Sequence, residues 1–328
     1  MTKTAAAAVA RQLADARHIL LTAHRDPDGD SLGCQLAFYE YWTRQRGRTA
    51  DVINQGTLPS KYRFLDPQSI VQRTPRTARN TRWDCVIVFE CSALDRIGSV
   101  ARLVPPDLPI INIDHHGHND AYGAINIVDP AAAACGEMVY DLFRHWKADI
   151  TPAMASNLAV AILTDTGRFY HPCTNVRTLE ITAALMRRGA NLTELATHVY
   201  HSLSQRQFRL IHHILGRAEL RAGGKICFLI LSARDRQRFG VPMQDLEGLV
   251  DDTLSVAGVR VGALLRELAP RRTKASLRSA NSIDVAAVAR QFGGGGHRNA
   301  AGCVIERPLR EAADLLAKTI GPMGGRAS

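Results

Sequence analysis

The sequence predicts an α/β protein: a parallel-sheet domain in its first part and a smaller α+β domain in its last third. Three observations carry this. Strand and helix patterns alternate from His18 to Arg188, the signature of a parallel sheet with crossover helices. A short apolar stretch, Leu108-Pro-Ile-Ile-Asn-Ile113, runs directly into Asp114-His115-His116, as a buried strand does when it delivers polar side chains to the carboxyl edge of a sheet. After Gly223-Gly224 the pattern changes to strands followed by helices.

In chain order, the alanine-rich start, Met1 to Ala10, is followed quickly by Arg11, Asp15 and Arg17, and predicts an amphipathic helix rather than a signal peptide. Residues 18–22 read as a strand and 31–47 as the helix after it. Strands follow at 49–54, 84–89 and 108–113, then helices at 134–147 and 152–163, the second with proline in its first turn. A further helix over 176–188 stops at Gly189. The polar, helix-prone stretch 191–218 is expected to be a linker between a domain at 1–190 and a second at 219–328. In the second domain, strands are expected at 225–231, 259–267 and 274–279, with helices near 284–292 and 309–319.

With 328 residues the chain can bury two cores. Its net charge of +10 comes from 41 Lys+Arg against 31 Asp+Glu, and only six of those cations are lysines. Arginine forks grip phosphates bidentately, so the bias suits a phosphate-bearing ligand, although a solvated basic surface accounts for it equally well. The seven cysteines show no Cys-x-x-Cys spacing, which argues against a disulfide framework and a thiolate zinc site. Cys34, Cys85 and Cys135 read as small buried hydrophobes. No uncharged run is long enough to span a bilayer, and a cytoplasmic protein is expected.

Four clusters of carboxylates and histidines lie at the ends of strands or helices. The first is His24-Arg-Asp-Pro-Asp28-Gly-Asp30-Ser31, where Pro27 and Gly29 force a turn that can aim His24, Asp28 and Asp30 into one hollow. The alternative is an Asx-rich turn in which Asp30 or Ser31 caps the next helix. The second is Glu90, a carboxylate ending an apolar strand, costly to bury without a metal or arginine nearby; a loop carboxylate facing water is the alternative. The third is Asp114-His115-His116 with Asn119 after it, and the fourth is Thr164-Asp165, where a helix runs into a loop. In the last third, Gly293 to Gly296 precede His297 and Arg298. Successive glycines, Gly294, Gly295 and Gly296 among them, permit a backbone nest for an anion; a flexible turn is the alternative.

These residues, in this order, resemble the DHH phosphoesterase superfamily, and Ser276-Leu-Arg278-Ser with the Gly293 to Gly302 segment resembles the DHH-associated C-terminal domain. The architecture is similar to that of the bacterial nanoRNases, oligoribonucleases that also remove the 3′-phosphate of 3′-phosphoadenosine 5′-phosphate (pAp), and more distantly to RecJ-like exonucleases. The resemblance implies two divalent cations, Mn²⁺ first, with Mg²⁺, Co²⁺ or Fe²⁺ as alternatives. It places His24 and Asp28 on one cation, Asp30, His115 and Asp165 on the other, and residue 90 between them. His116 is implied to meet the scissile phosphate or the leaving oxygen, and Asp114 to orient His115 or tune its basicity. Asp28, Asp114 and His116 are thus the expected catalytic residues. Ser276, Arg278, the glycine run, His297 and Arg298 are expected to bind substrate across an interdomain cleft. The implied substrates are RNA or DNA oligonucleotides of a few nucleotides, or pAp. A linear or cyclic dinucleotide (pApA, cyclic di-AMP) is the alternative, and a homodimer is compatible with the pattern. The chain departs from the family at Glu90, where the family has aspartate. If Glu90 disables the cation pair, a non-catalytic nucleotide-binding protein is the remaining reading.

Overall fold

The computed structural model describes residues 1–74, 81–246, 248–280 and 283–321; the side chains of Met243, Gln244 and His297 lie outside the described set. The chain divides into two units, Met1–Ser202 and Leu203–Ser328.

The first unit contains α1 (Lys3–Gln12), β1 (His18–Ala23), α2 (Gly29–Glu40), β2 (Thr49–Asn54), β3 (Val71–Arg73), β4 (Cys85–Phe89), β5 (Ile110–Asp114), β6 (Ile125–Val128), α3 (Cys135–His145), α4 (Pro152–Asp165), α5 (Val176–Arg187) and α6 (Leu192–Tyr200). The strands form one sheet in the order β3-β2-β1-β4-β5-β6, every pair parallel. The edge strands β3 and β6 are short and half-exposed, too weakly patterned to be expected from the sequence.

The strand order runs outward in one direction from β1 and in the other from β4, so the chain reverses between these two neighbours. Such a switch point leaves a crevice at the carboxyl ends of the strands. Strand β4, Cys-Val-Ile-Val-Phe, is buried along its whole length. One face of the sheet packs under α2, α3 and α4. The other is covered by Ile97 and Val100 of the 3₁₀ segment Leu94–Leu103, which pack on Leu20, Ile53, Val86 and Val88.

Helix α2 is buried on almost every side, because α4 lies directly against it. Glycines make this approach possible: a Cβ on Gly33 would lie 2.3 Å from the Asn157 carbonyl oxygen, and one on Gly29 would meet Thr164 Oγ1 at 2.4 Å. The turn into α2 is closed by a capping box in which Asp28 accepts from Ser31 N while Ser31 Oγ accepts from Asp28 N. The N-cap is therefore Asp28, not Asp30 or Ser31.

The expected linker is not a separate element. Leu195 and Val199 of α6 bury in the first core, whereas Leu210 and Ile214 of α7 (Gln205–Leu215) bury in the second unit. Each helix carries an i, i+4 apolar pair that a polar composition hides, and the boundary falls between Ser202 and Leu203.

The second unit continues with β7 (Glu219–Arg221), β8 (Ile226–Leu231), α8 (Ala233–Phe239), β9 (Val261–Ala269), β10 (Arg272–Ser279), α9 (Val285–Arg290), β11 (Gly295–His297), β12 (Ala300–Ile305) and α10 (Leu309–Ile320). Its sheet has the order β11-β12-β10-β9-β8-β7 and is antiparallel except at β8–β9. Strand β10 alternates strictly. Ala275 and Leu277 face the core formed with α9 and α10, and Lys274, Ser276 and Arg278 take the opposite face.

Substituting Gly33→Ala is expected to lower stability by about 1–3 kcal/mol, because the new methyl meets backbone rather than a yielding side chain. A reduced urea midpoint at unchanged m-value checks it.

Candidate metal centre

The residues that end β1, β4, β5 and α4 converge at the switch point. His24 follows β1, Glu90 follows β4, Asp114 closes β5 with His115 and His116 after it, and Asp165 closes α4. Two donor sets result. His24, Asp28 and Glu90 offer ligand atoms within 4.8 Å of one another, and so do Asp30, Glu90, His115 and Asp165. Glu90 belongs to both sets. Six residues singled out in the sequence are thus brought together.

The imidazoles are presented in one sense. His24 Nδ1 lies 2.8 Å from the Arg25 carbonyl and His115 Nδ1 3.1 Å from that of Ala132. Carbonyls only accept, so each Nδ1 carries the hydrogen and each Nε2 turns its lone pair toward carboxylates. His24 Nε2 stands 3.4 Å from Glu90 and 3.6 Å from Asp28; His115 Nε2 stands 3.3 Å from Asp165 and 3.8 Å from Asp30. Lone pairs facing anionic oxygens repel unless a proton or a metal cation lies between them.

Titration reflects the crowding. Burial, then the neighbouring Asp165, pushes the Asp30 carboxyl up to about 8. Burial and Asp28 raise Glu90, and burial raises Asp165 against the pull of His115. Burial opposes protonation of His24, but Glu90 and Asp28 outweigh it and raise its pKa well above the ordinary value. Asp28 is likewise held low by His24 despite its burial. Among the described residues, Glu90 Oε2 is buried without a hydrogen-bond partner. Oxygen and imidazole donors at this density fit a pair of hard-to-borderline divalent cations.

Backbone amides anchor part of the cluster. The Asp30 oxygens accept from Cys135 N at 2.6 Å and Gly136 N at 2.9 Å, the first amides of α3. The Cys135 thiol, expected as a mere small hydrophobe, also lies within 4.8 Å of Asp30 and His115, and Cys34 Sγ sits 3.5 Å from Asp30 Oδ1. Both thiols adjoin a carboxylate rather than purely apolar neighbours.

The expectation that Asp114 orients the His115 ring needs correcting. Asp114 Oδ1 accepts from His116 Nδ1 at 2.7 Å and from His115 only through its backbone N–H. Ala132 holds the His115 ring instead. Asn119 Nδ2 donates to Asp114 Oδ2 at 2.6 Å and to Asn112 Oδ1 at 2.8 Å. Although burial opposes it, His116 first and then Asn119 hold the Asp114 carboxyl well below the usual carboxylate range. Burial, with Arg96 nearby, lowers the His116 pKa against the pull of Asp114, so its Nε2 is an acceptor at neutral pH.

Glu90 has φ of 52°, in the left-handed region that β-strand ends seldom use and that aspartate tolerates better than glutamate. Asp26, Arg168 and Phe169 are also left-handed, at 56°, 62° and 64°, in the two other loops that border the cluster. His171 Nδ1 donates to the Asp165 carbonyl at 3.1 Å and closes the second of these loops, a role the sequence did not disclose.

In the second unit, Ser276 and Arg278 share a face of β10, where Arg266 Nη2 donates to Ser276 Oγ at 3.0 Å. The glycine run differs from the expected nest. Gly293 and Gly294 donate their N–H groups to the Arg290 and Ala289 carbonyls, and Gly295 and Gly296 pair with β12. A Cβ on Gly294 would lie 2.2 Å from the Gly302 carbonyl, so close strand contact explains the glycine there. Arg298 is exposed at the turn between β11 and β12; the expectation for the His297 side chain falls outside the described set.

The crowding has a consequence for stability. Between the ordinary 3.8 and about 8, the folded chain without cations keeps a proton on Asp30 that the unfolded chain has released. Stability of the chelated protein is therefore expected to fall as pH rises through that window. The raised His24 pKa acts in the same direction, and the lowered Asp28 and Asp114 act only at more acidic pH. Thermal unfolding in EDTA should show the decline, and added Mn²⁺ should restore more near pH 8 than near pH 5. A flat profile would remove the cluster as its source.

Comparisons with known proteins agree with this geometry. Residues 18–162 match the DHH family N-terminal domain, and residues 223–321 match the DHHA1 domain. A bifunctional oligoribonuclease and PAP phosphatase of Thermus thermophilus is 29% identical over 88% of this chain and 84% of its own length. The Bacillus subtilis protein of the same description is 25% identical, over 88% and 89%. Among solved structures, an exopolyphosphatase-related protein of Bacteroides fragilis superposes with a TM-score of 0.87 at 23% identity, covering 98% of this chain and 97% of its own. RecJ of Thermus thermophilus, solved with Mn²⁺, gives a TM-score of 0.55 at 13% identity over 99% of this chain and 55% of its own. Matched first by the DHH model and then by the distinct DHHA1 model, the chain is a phosphoester hydrolase of the DHH superfamily with a DHHA1 domain.

Proposed function

We propose that this protein hydrolyses short oligoribonucleotides to mononucleotides, and pAp to AMP, with a pair of divalent cations, Mn²⁺ first among them. The observation that carries the reading is the pair of donor sets joined through Glu90 at the switch point. The two oligoribonuclease and PAP phosphatase relatives support the substrate class, since each aligns over most of both chains.

His24, Asp28 and Glu90 would hold one cation, and Asp30, Glu90, His115 and Asp165 the other. Bound there, two cations activate water and offset charge on the phosphoryl oxygens. The protein's own part is orientation. Arg25 and Ala132 carbonyls fix the His24 and His115 tautomers, and the amides of α3 hold Asp30. Asp114 fixes His116 Nδ1, so Nε2 is the atom available to meet the phosphate or the leaving oxygen. Ser276 and Arg278, with Arg298 nearby in sequence to the glycine run, would grip the nucleotide's own phosphate.

Glutamate at position 90 reaches one methylene further than the aspartate of the family pattern, from a left-handed backbone. It spans both sets, and this favours a catalytic centre over a nucleotide-binding protein with a lost site.

The deciding experiment loads the chelated protein with Mn²⁺ and measures hydrolysis of a dinucleotide, a five-nucleotide RNA, pAp and cyclic di-AMP. Turnover of the first three is expected. Turnover of cyclic di-AMP alone would replace the reading with the dinucleotide one, and no metal uptake with no turnover would end the enzymatic reading. Asp165→Asn should cost at least about 100-fold in turnover, and Asp114→Asn about 10- to 100-fold, because the latter acts through His116. Glu90→Asp should retain two cations per chain with altered Mn²⁺ affinity by titration calorimetry. Unchanged affinity and turnover would show that the longer side chain is immaterial.

A further inference from the structure

The face of β10 that carries Ser276 and Arg278 is built from behind. Arg278 Nε donates to Asp251 Oδ1 at 2.7 Å, and Arg278 Nη1 donates to the Leu277 carbonyl at 3.1 Å. A guanidinium has five N–H donors in a planar fork. With Nε on Asp251 and one Nη1 hydrogen on its own strand, no described residue accepts from the outer Nη1/Nη2 edge, the edge that can take two oxygens of a phosphate.

Asp251 comes from the 3₁₀ segment Leu249–Ser255, which follows Gly248 with φ of 89°. That segment reaches Arg278 because the neighbouring strand position is bare. Gly262 is the cross-strand partner of Arg278 on β9, and a Cβ there would lie 1.6 Å from Thr253 Oγ1. Thr253 is buried and ties back to the Val250 carbonyl at 2.6 Å. On the other side, β12 places Ala300 beside Arg278. Glycine and alanine thus flank the arginine, and the 3₁₀ turn seated on Gly262 delivers one carboxylate to its Nε edge.

An ion pair whose side chains are 24% and 39% exposed contributes little to stability. Its effect is to restrict a long, rotamer-rich side chain to one orientation, which lowers the ordering cost when an anion binds.

We propose that Asp251 is the positioning residue for Arg278: it holds the guanidinium with its outer edge presented to a nucleotide phosphate. The inference rests on Arg278 serving as a substrate-binding residue, as proposed above. It adds a specificity element in the second unit: substrates with a phosphate besides the one being hydrolysed gain from the oriented fork.

The test compares wild type, Arg278→Ala, Asp251→Ala, Asp251→Asn and the double variant Asp251→Ala/Arg278→Ala, each loaded with Mn²⁺, on a dinucleotide carrying a 5′-phosphate. Asp251→Ala is expected to raise KM on the order of tenfold, with kcat falling by less than KM rises. Asp251→Asn, which keeps an acceptor of the same shape, should recover part of that loss. The double variant should match Arg278→Ala. A wild-type KM in Asp251→Ala and Asp251→Asn, with KM raised in Arg278→Ala, would overturn the role of Asp251 and leave that of Arg278 standing. Additive losses in the double variant would overturn it as well. A wild-type KM in Arg278→Ala would remove both the inference and the reading beneath it. Should Asp251→Ala fold poorly, Asp251→Asn and its pairing with Arg278→Ala decide the same question.

Discussion

The structure depends on gathering four carboxylates, buried Asp30 and Glu90 with half-buried Asp28 and Asp165, into two donor sets that share Glu90. Such a cluster is unfavourable by itself, and the fold answers with positive charge of several kinds. Helix α2 begins at Asp28 and places Asp30 in its first turn, and helix α3 points its first amides at the same Asp30. Two helix N-termini therefore converge on the anionic site, where their partial charges favour it. His24 and His115 add proton-accepting nitrogens between the carboxylates. The remaining imbalance would favour bound divalent cations, and the tight packing of α2 on α4 through Gly29 and Gly33 holds the carboxylates together.

Around this cluster the backbone departs from its comfortable regions. Asp26, Glu90, Arg168 and Phe169 all have positive φ, and they sit in three loops that carry or adjoin the donor residues. Residues held in this way persist only where surrounding contacts over-determine them. Here Asp26 N bonds the Gln55 carbonyl, Glu90 N bonds that of Ile113, and Phe169 N bonds Thr166 Oγ1. Unlike Asp26, the glutamate at position 90 is poorly suited to its backbone, and it is also the residue that the two donor sets share.

The second unit solves a different problem. Its sheet buries one face under α9 and α10, and on the other a row of polar side chains, Lys274, Ser276 and Arg278, is supported by Arg266 and Asp251. Strict alternation along β10 separates core positions from those of the opposite face. Small residues at 262 and 300 leave room for the support to reach them.

Much of this was legible in the residues alone. Period-two and period-3.6 patterns located the longer strands and helices because each buries one apolar face, and His24, Asp28, Asp30, Glu90, His115 and Asp165 stood out because polar groups at the ends of apolar elements need partners. The short edge strands β3, β6 and β7, and the division of 191–218 into one helix for each unit, were not legible. Their apolar pairs are too few to outweigh a polar composition. Nor did adjacency along the chain disclose which side chains touch: that Asp114 holds His116 rather than His115, that Cys135 lies beside Asp30, that Gly294 packs on a strand, or that Asp251 grips Arg278. Local patterning determined which longer segments are helices and strands and which polar residues need a partner. Hydrogen-bond direction and close backbone approach depend on elements far apart in sequence, so tertiary structure alone decided how those residues share the work.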